Sequence, residues 1–528
     1  MKTFFFVWSN IEKKKRILVV NYFVNENIFA LNSGTEFSAI NRIKLFKKNK
    51  ISAKIVTRNY NTQLAADAKR LGLESSDVVN MYDYFQELVG LEMERADVRF
   101  VDMIDKTKYH IEGVDANSSL ISHHGTTIGK INIAPATVGL VGSVDYFGTF
   151  GDTLTTDLWD CRGFKSSTQY YHPDGSKGTQ VFFNKDGQPK LELAHMNING
   201  QLFPTMYRLV DYKGESWRFN TEEELFTFFL DELAAQGEAS LINDRISLAP
   251  AVHRAKGFAG KWHFLHNVHS SNNQQVGPSR QLVDYLKPLF TEFNAELDGI
   301  IVPTEQERDE IMKFYHFNNV LALPDYFTKD VKFEIPKTKN KIIHLGRLAD
   351  DKGVIQTVEV MNYLHQMNPE AELDFYGYAS PAEMQKQLDE KVEAFGLQDV
   401  VHFRGYQNTE ILEAAIKEAR AVISTTPAES FGMELLEAMS FGVPVVAYDV
   451  KYGHKELIDN GKNGVLVPLG ATLEAAQALN ALIVDDSKHL KMSKAAHEKA
   501  QKWHEALVWK KWTKVQKTSS NLFVKGEK

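Results

Sequence analysis

Two cations and two carboxylates stand out by type and spacing. Arg347 and Lys352 lie five positions apart in "GRLADDKG", directly after the short apolar run "KIIHL". Glu429 and Glu437 lie eight apart in "AESFGMELLEAM", directly after "RAVISTT". In an open α/β sheet, ligands bind beyond the carboxyl ends of the strands, so both loops are where chemistry would occur. Cations beside free backbone N–H groups suit a phosphate or diphosphate. Gly432 allows close backbone approach at a helix start, where anions are favoured. Glu429 sits just before that start, and Glu437 follows about two turns on, pointing in a similar direction. A carboxylate accepts from two vicinal sugar hydroxyls at once. Each feature alone has a bland reading, a surface Arg/Lys pair or an amphipathic helix with a solvated glutamate. Together they describe a site for a sugar nucleotide.

The elements that must carry these loops follow from periodicity. Residues 16–94 alternate β and α: "RILVVNYFV", "TEFSAINRIKLFKKNK", "SAKIVTRNY" and "YDYFQELVGLEME" predict a parallel sheet with covering helices. Residues 95–216 break the rhythm into short alternating strands, with Asp174-Gly175 and Asp186-Gly187 as tight hairpin turns. They predict an antiparallel β insertion for acceptor recognition or oligomerisation. The α/β rhythm resumes over 217–335 with "ASLINDR", "KWHFLHNVH" and "LDGIIVPT", completing the first domain. After the lysine-rich linker "PKTKNK", residues 336–495 predict a second doubly wound domain with five strands. Residues 496–528 predict an amphipathic helix with Trp503, Leu507, Val508, Trp512 and Val515 on its apolar side, crossing back to the first domain before a tail.

Composition bounds the rest. A chain of 528 residues predicts two to four domains, and 43% hydrophobic with 24% charged residues is ordinary for a globular protein. A net charge of -7 supplies no field for nucleic acid. The single cysteine, Cys161, excludes an internal disulfide and a cysteine-cluster metal site. The apolar run Phe4 to Trp8 is short for a signal peptide, and no run of 18 apolar residues is present. The expected location is cytoplasmic, with at most peripheral membrane contact through "EKKKR" or "FKKNK".

Arg347-x4-Lys352 with Glu429-x7-Glu437, followed by "GVPVVAYD" and "ELIDNGKNGVLVP", resembles the retaining nucleotide-sugar glycosyltransferases of family 4. The resemblance implies an α/β fold of the GT-B type, two Rossmann-like doubly wound domains facing a cleft. It implies that Arg347 and Lys352 hold the donor diphosphate, Glu429 the sugar and Glu437 the ribose. Arg404, Gly405, Tyr406, Ser430, Phe431, Gly432 and Met433 join the donor set, with Gly34 and Thr35 lining the acceptor side beside it. One departure is the turn after "DFYG", where Gly377 is followed by Tyr378 and Ala379 rather than further glycines.

"NSGTEFSAINR", "HNVH" and the β insertion are similar to the group that glycosylates bacterial surface polymers. That group comprises the accessory-secretion transferases of serine-rich adhesins and the wall-teichoic-acid α-glycosyltransferases. By this resemblance His269 faces the reaction centre and is catalytic with Arg347, Lys352 and Glu429; His266 and Asn267 line the acceptor side or cleft. The implied reaction moves glucose or N-acetylglucosamine from a UDP-sugar to a serine/threonine-rich adhesin or its first O-linked sugar. The leaving diphosphate helps deprotonate the incoming hydroxyl. Without an Asp-x-Asp pair to hold a divalent ion, no metal and no cofactor are expected. A polyol-phosphate acceptor is the alternative within the enzymes. A non-catalytic acceptor-binding subunit is the alternative of another class, disfavoured because all four charged residues are kept. A homo-oligomer is expected. A glycosidase is excluded because it has no use for a diphosphate clamp, and because Glu429 and Glu437 share one helical segment rather than flanking a bond.

Overall fold

The computed structural model of the chain describes residues 18–92, 104–135, 137–270, 282–315, 317, 319–335 and 339–526. Strand β1 (Leu18–Asn25) is an almost unbroken apolar run, buried from Val20 onward, as a central parallel strand must be. It pairs in parallel with β2 (Ala53–Thr57), which pairs with β3 (Val78–Asn80). On its other side β1 takes β14 (Gly237–Asn243), and the sheet continues through β15 (Gly260–Phe264), β16 (Gly299–Val302) and β17 (Val320–Ala322). Residues on either side of the insertion therefore build one seven-stranded parallel sheet.

The insertion runs from β4 (His110–Asp115) to β13 (Glu215–Phe219) as a ten-stranded antiparallel meander in which each strand pairs with its chain neighbour. Gly175 and Gly187 take φ of 80° and 79° at the two Asp-Gly turns, the left-handed geometry for which glycine is suited. The later strands bury Phe182, Leu191, Tyr207 and Leu209 in one core with Tyr82, Phe85, Phe226 and Phe229 of the first domain. The insertion is thus seated on that domain rather than tethered to it.

The second domain is a six-stranded parallel sheet of β18 (Lys341–Leu345), β19 (Glu372–Tyr376), β20 (Val401–Gly405), β21 (Ala421–Ser424), β22 (Val445–Tyr448) and β23 (Gly464–Val467). Its order, β20-β19-β18-β21-β22-β23, is that of a doubly wound nucleotide-binding fold. Three strands escaped the sequence reading: β3, β17 and β23. Each has only three or four residues, too few to show a period.

The single C-terminal helix expected from periodicity is two helices, Asp486–Ala500 and Glu505–Gln516, joined by a 3₁₀ turn at Gln501–Trp503. The break falls where the chain changes domain. Thr328 N donates to Trp503 O (2.9 Å), so both connections between the domains lie side by side. The second helix buries Val508 and Trp512, and the Trp512 ring meets Phe46 at 5.5 Å between centroids. The tail returns to the first sheet. Val524 N donates to Asn21 Oδ1 (2.8 Å), and Ser240 Oγ donates to Asn521 O (3.0 Å). Among the described residues no helix is long and apolar enough to cross a membrane.

Candidate active site

The loop after β18 turns at Gly346 (φ 123°), passes Arg347, and closes in a 3₁₀ turn at Asp350–Lys352. Gly353 follows with φ 64° and starts the helix Val354–Met367. A Cβ at Gly353 would lie 2.2 Å from the Thr425 carbonyl oxygen, so only glycine lets this turn rest on the β21 loop. That close approach carries Lys352 to Glu429, with Nζ 2.7 Å from Oε2. Arg347 is nearer solvent and pairs with Asp351 at 2.7 Å.

Glu429 lies in the loop after β21, held from the loop after β22. Tyr452 N and Gly453 N both donate to its carbonyl oxygen, at 2.7 and 2.9 Å. A Cβ on Gly453 would stand 2.1 Å from Phe431 O. We expect Gly453→Ala to push this loop, and Glu429 with it, out of place. Overpacking of this kind costs roughly 1–3 kcal/mol. A loss of stability of that size should appear in denaturant titration; an unchanged midpoint would show that the Gly453 contact does not constrain this loop.

Glu429 is not on the helix. Gly432 (φ 90°) turns the chain before the helix Met433–Ser440 begins, so helical spacing does not extend back to Glu429. The expectation that Glu429 and Glu437 share one segment and one direction is corrected accordingly. Glu437 accepts from the Tyr326 hydroxyl, with Lys329 and Glu413 as its neighbouring charges, and burial raises its pKa.

A third carboxylate joins the cluster, one the sequence reading missed. Glu434, in the first turn of the helix Met433–Ser440, places Oε1 3.9 Å from Lys352 Nζ. Burial disfavours the Lys352 charge, yet Glu429 and Glu434 hold it protonated, with its pKa raised. Burial likewise opposes the Glu429 charge, but Lys352 outweighs it and keeps that carboxyl ionised. Glu434 is pushed up to about 7, by burial first, with Glu429 and Asp325 adding and Lys352 opposing. The only sequence signal was an acidic residue in the first turn of the helix after the β21 loop, which is common at any helix start.

Beyond Lys352, three strand-end loops lie backbone on backbone. Gly377 N donates to Gly405 O (3.0 Å), and a Cβ on Gly377 would fall 1.8 Å from Gly346 O. One glycine therefore suffices in the "GYA" turn. Arg404 is held by buried Asp374 at 2.9 Å. Tyr406 is hydrogen-bonded to the Asn32 backbone of the first domain. Gly34, at a helix start of that domain, faces Met433, whose methyl would lie 3.4 Å from a Cβ there; Thr35 follows, half-buried. Ser430 Oγ donates to His266 O across the same junction, and Phe431 is buried against Trp503. Gly34, Met433, Ser430, Lys352 and Glu429 are thus brought together, whereas Glu437 diverges toward Tyr326.

His266 is nearly enclosed. Its Nε2 is 2.9 Å from Asp244 Oδ1, and its Nδ1 is 3.5 Å from Asp325 Oδ2. Burial opposes its charge, but Asp244 and Asp325 outweigh it, so its pKa is raised. Asn267 is exposed, its amide 3.5 Å from the Tyr285 hydroxyl. His269 has no accessible surface. Its Nδ1 is 3.1 Å from Glu307, its ring stacks on Tyr452 at 5.7 Å, and its Nε2 has no partner among the described residues. His269 therefore braces the loop that clamps Glu429 rather than opening onto the domain junction. Among the described residues no three His, Cys, Asp or Glu side chains converge as metal ligands.

Two doubly wound domains, meeting at strand-end loops that carry a lysine–carboxylate cluster, define the GT-B fold. More narrowly, residues 325–499 match the model of the Glycosyl transferases group 1 family. The chain is similar to a poly(glycerol-phosphate) alpha-glucosyltransferase of Bacillus subtilis (strain 168), 22% identical over 93% of this chain and 74% of the relative. It is 26% identical, over 71% of this chain and 69% of the relative, to the GtfA subunit of a UDP-N-acetylglucosamine–peptide N-acetylglucosaminyltransferase of Streptococcus gordonii. Among solved structures, the pneumococcal O-GlcNAc transferase GtfA with UDP and GlcNAc superposes with a TM-score of 0.79, at 19% identity, covering 95% of this chain and 99% of that one. The TarM crystal structure gives 0.78 at 20% identity, covering 94% and 98%.

Proposed function

We propose that this chain moves glucose or N-acetylglucosamine, with retention, from a UDP-sugar to a bacterial surface acceptor. The preferred acceptor is a serine/threonine-rich adhesin or its first O-linked sugar. The observation that carries the reading is the Lys352–Glu429 pair at the strand ends of a group 1 domain, 2.7 Å apart and set by two glycines that tolerate no side chain. Lys352, with Arg347 swinging from Asp351, stabilises charge growing on the leaving diphosphate; Glu429 then accepts from sugar hydroxyls. Fixed cations in a water-poor site do this without a metal. Glu437 takes the ribose in place of the Tyr326 hydroxyl, and the loops of Gly377, Gly405 and Tyr406 bed the base. The β insertion contacts acceptor or a sister copy. The reaction is placed in the cytoplasm, in keeping with a sugar-nucleotide donor.

The relatives named for teichoic acid synthesis support a second acceptor. The Bacillus subtilis enzyme and the poly(ribitol-phosphate) alpha-N-acetylglucosaminyltransferase of Staphylococcus aureus (strain COL) match 93% and 91% of this chain, insertion included. The deciding experiment is UDP release from UDP-glucose and UDP-N-acetylglucosamine in EDTA. A serine-rich peptide, its glycosylated form and a polyol-phosphate polymer are supplied in turn. Release stimulated by peptide is the expected result. Stimulation by the polymer alone moves the acceptor to teichoic acid. Donor binding with no turnover on any acceptor would make the chain a non-catalytic partner.

A further inference from the structure

Lys352 is shared unequally between two carboxylates, and the second has no evident place in donor binding. Glu429 takes the lysine at 2.7 Å, while Glu434 stands back at 3.9 Å. Both acids are largely enclosed, with side-chain exposures of 11% and 28%. The groups facing Glu434 come from three other segments: Lys352 from the turn Asp350–Lys352, Glu429 from the loop before its own helix, and Asp325 from the connection out of the first domain. Asp325 itself faces His266 at 3.5 Å. Glu434 thus shares its enclosure with two further carboxylates and one direct cation, Lys352, with His266 beyond Asp325, in the place where a further anion must enter.

We propose that Glu434 makes donor capture proton-linked: it competes with the donor diphosphate for Lys352, and takes up a proton from solvent as the diphosphate arrives. The inference rests on the sugar-nucleotide reading above. Lys352 holds Glu429 at 2.7 Å and Glu434 only at 3.9 Å, so Glu434 is the carboxylate it holds less closely. When it turns to phosphate, Glu429 is left to the sugar hydroxyls, and Glu434 loses its counter-charge while acquiring a dianionic neighbour. Like charges at such range cannot both persist in a partly dry site, so the carboxylate that already sits near neutrality protonates. No covalent step is involved; one proton passes from buffer to a Glu434 oxygen.

The sign follows. A raised carboxyl is neutral below about 7 and ionised above it. Donor binding is therefore tightest in weakly acidic solution and weakens as pH rises through and beyond neutrality, by at most about tenfold per unit. A glutamine at this position keeps the shape and removes the titration.

Calorimetric titration with UDP-N-acetylglucosamine and UDP-glucose tests this, since their diphosphates do not themselves titrate between about pH 6 and 8.5. Measured at pH 8 in buffers of differing ionisation enthalpy, the full chain should take up between about half and one proton per donor bound. Its affinity should fall about tenfold between pH 6.5 and 8.5. Glu434→Gln, with an unchanged melting temperature as its folding control, should show neither effect and bind at pH 8.5 as tightly as the parent at 6.5. The same uptake in Glu434→Gln, or a pH-independent parent affinity, would overturn the role of Glu434 and leave the function intact. A parent chain that binds neither sugar nucleotide at any pH would overturn both.

Discussion

Replacement of Lys352 by alanine is expected to lower kcat by about 10²–10³, with a rise in donor KM besides. The argument is electrostatic and local. Lys352 contacts Glu429 in the loop after β21, and it is positioned by backbone contacts that allow little movement. Glu429 and Glu434 hold its charge before any donor enters, so a protonated cation is already in place to meet a diphosphate. Removing it also leaves two acids facing one another, which repels the incoming anion. Lys352→Arg should recover part of the binding but not the full rate, because a planar fork does not replace a point charge in this space. The measurement is single-turnover kinetics with saturating donor. Retention of more than about a tenth of the parent rate by Lys352→Ala would refute the assignment of the diphosphate to this lysine.

Asp244→Ala should have the largest effect on stability, a loss of about 3–5 kcal/mol, because it strands buried positive charge. Asp244 is fully enclosed and receives Arg42 through both guanidinium nitrogens (2.9 and 3.2 Å), Asn25 at 3.2 Å and His266 at 2.9 Å. Arg42 in turn lies 4.8 Å from the ring centroids of Phe23 and Phe264, with its side chain only 3% exposed. The pH dependence has a definite sign. Asp244 titrates below its ordinary 3.8, burial being outweighed by Arg42 and His266; its stabilisation holds above 3.8 and is lost as pH falls through the folded value. His266 titrates above 6.5, so its contribution is complete below 6.5 and is lost as pH rises through the folded value. The parent chain should therefore be more stable at pH 6 than at pH 8.5 in denaturant titrations, and Asp244→Ala should narrow that difference, with Asp325 still beside His266. A cost under about 1 kcal/mol would mean that this junction relaxes far more readily than its packing implies.

How much of this was legible in sequence depends on how far each signal reaches along the chain. Long apolar strands such as β1, the Asp-Gly hairpin turns and the spacing of Arg347, Lys352, Glu429 and Glu437 are local and were readable. The short strands β3, β17 and β23 carry no period, and they are specified by neighbours far away in sequence. Glu434 was invisible for a different reason. What singles it out is Lys352, 82 positions earlier, and Asp325, 109 positions earlier, brought together only by the fold. His269 is a different case: its motif points to the reaction centre, and in the structure Glu307 and Tyr452 enclose the ring. The left-handed turn at Gly432 likewise broke a helical phase that pattern reading carried straight through.

The hydrogen bond between Asn21 and Val524 spans 503 positions, and it bears on how the protein is made. On the ribosome, β1 emerges hundreds of residues before the tail that completes its surroundings. Synthesis runs at about 5–20 residues per second, and domains tend to fold in the order in which they appear. Here that order is inverted at one point. The first domain must wait for Trp512 to cover Phe46 and for residues 521–524 to reach its sheet, and both lie downstream of the entire second domain. The half of the molecule translated first is consequently the half finished last. A chain interrupted late in translation would hold a formed second domain beside a first domain still open along that edge.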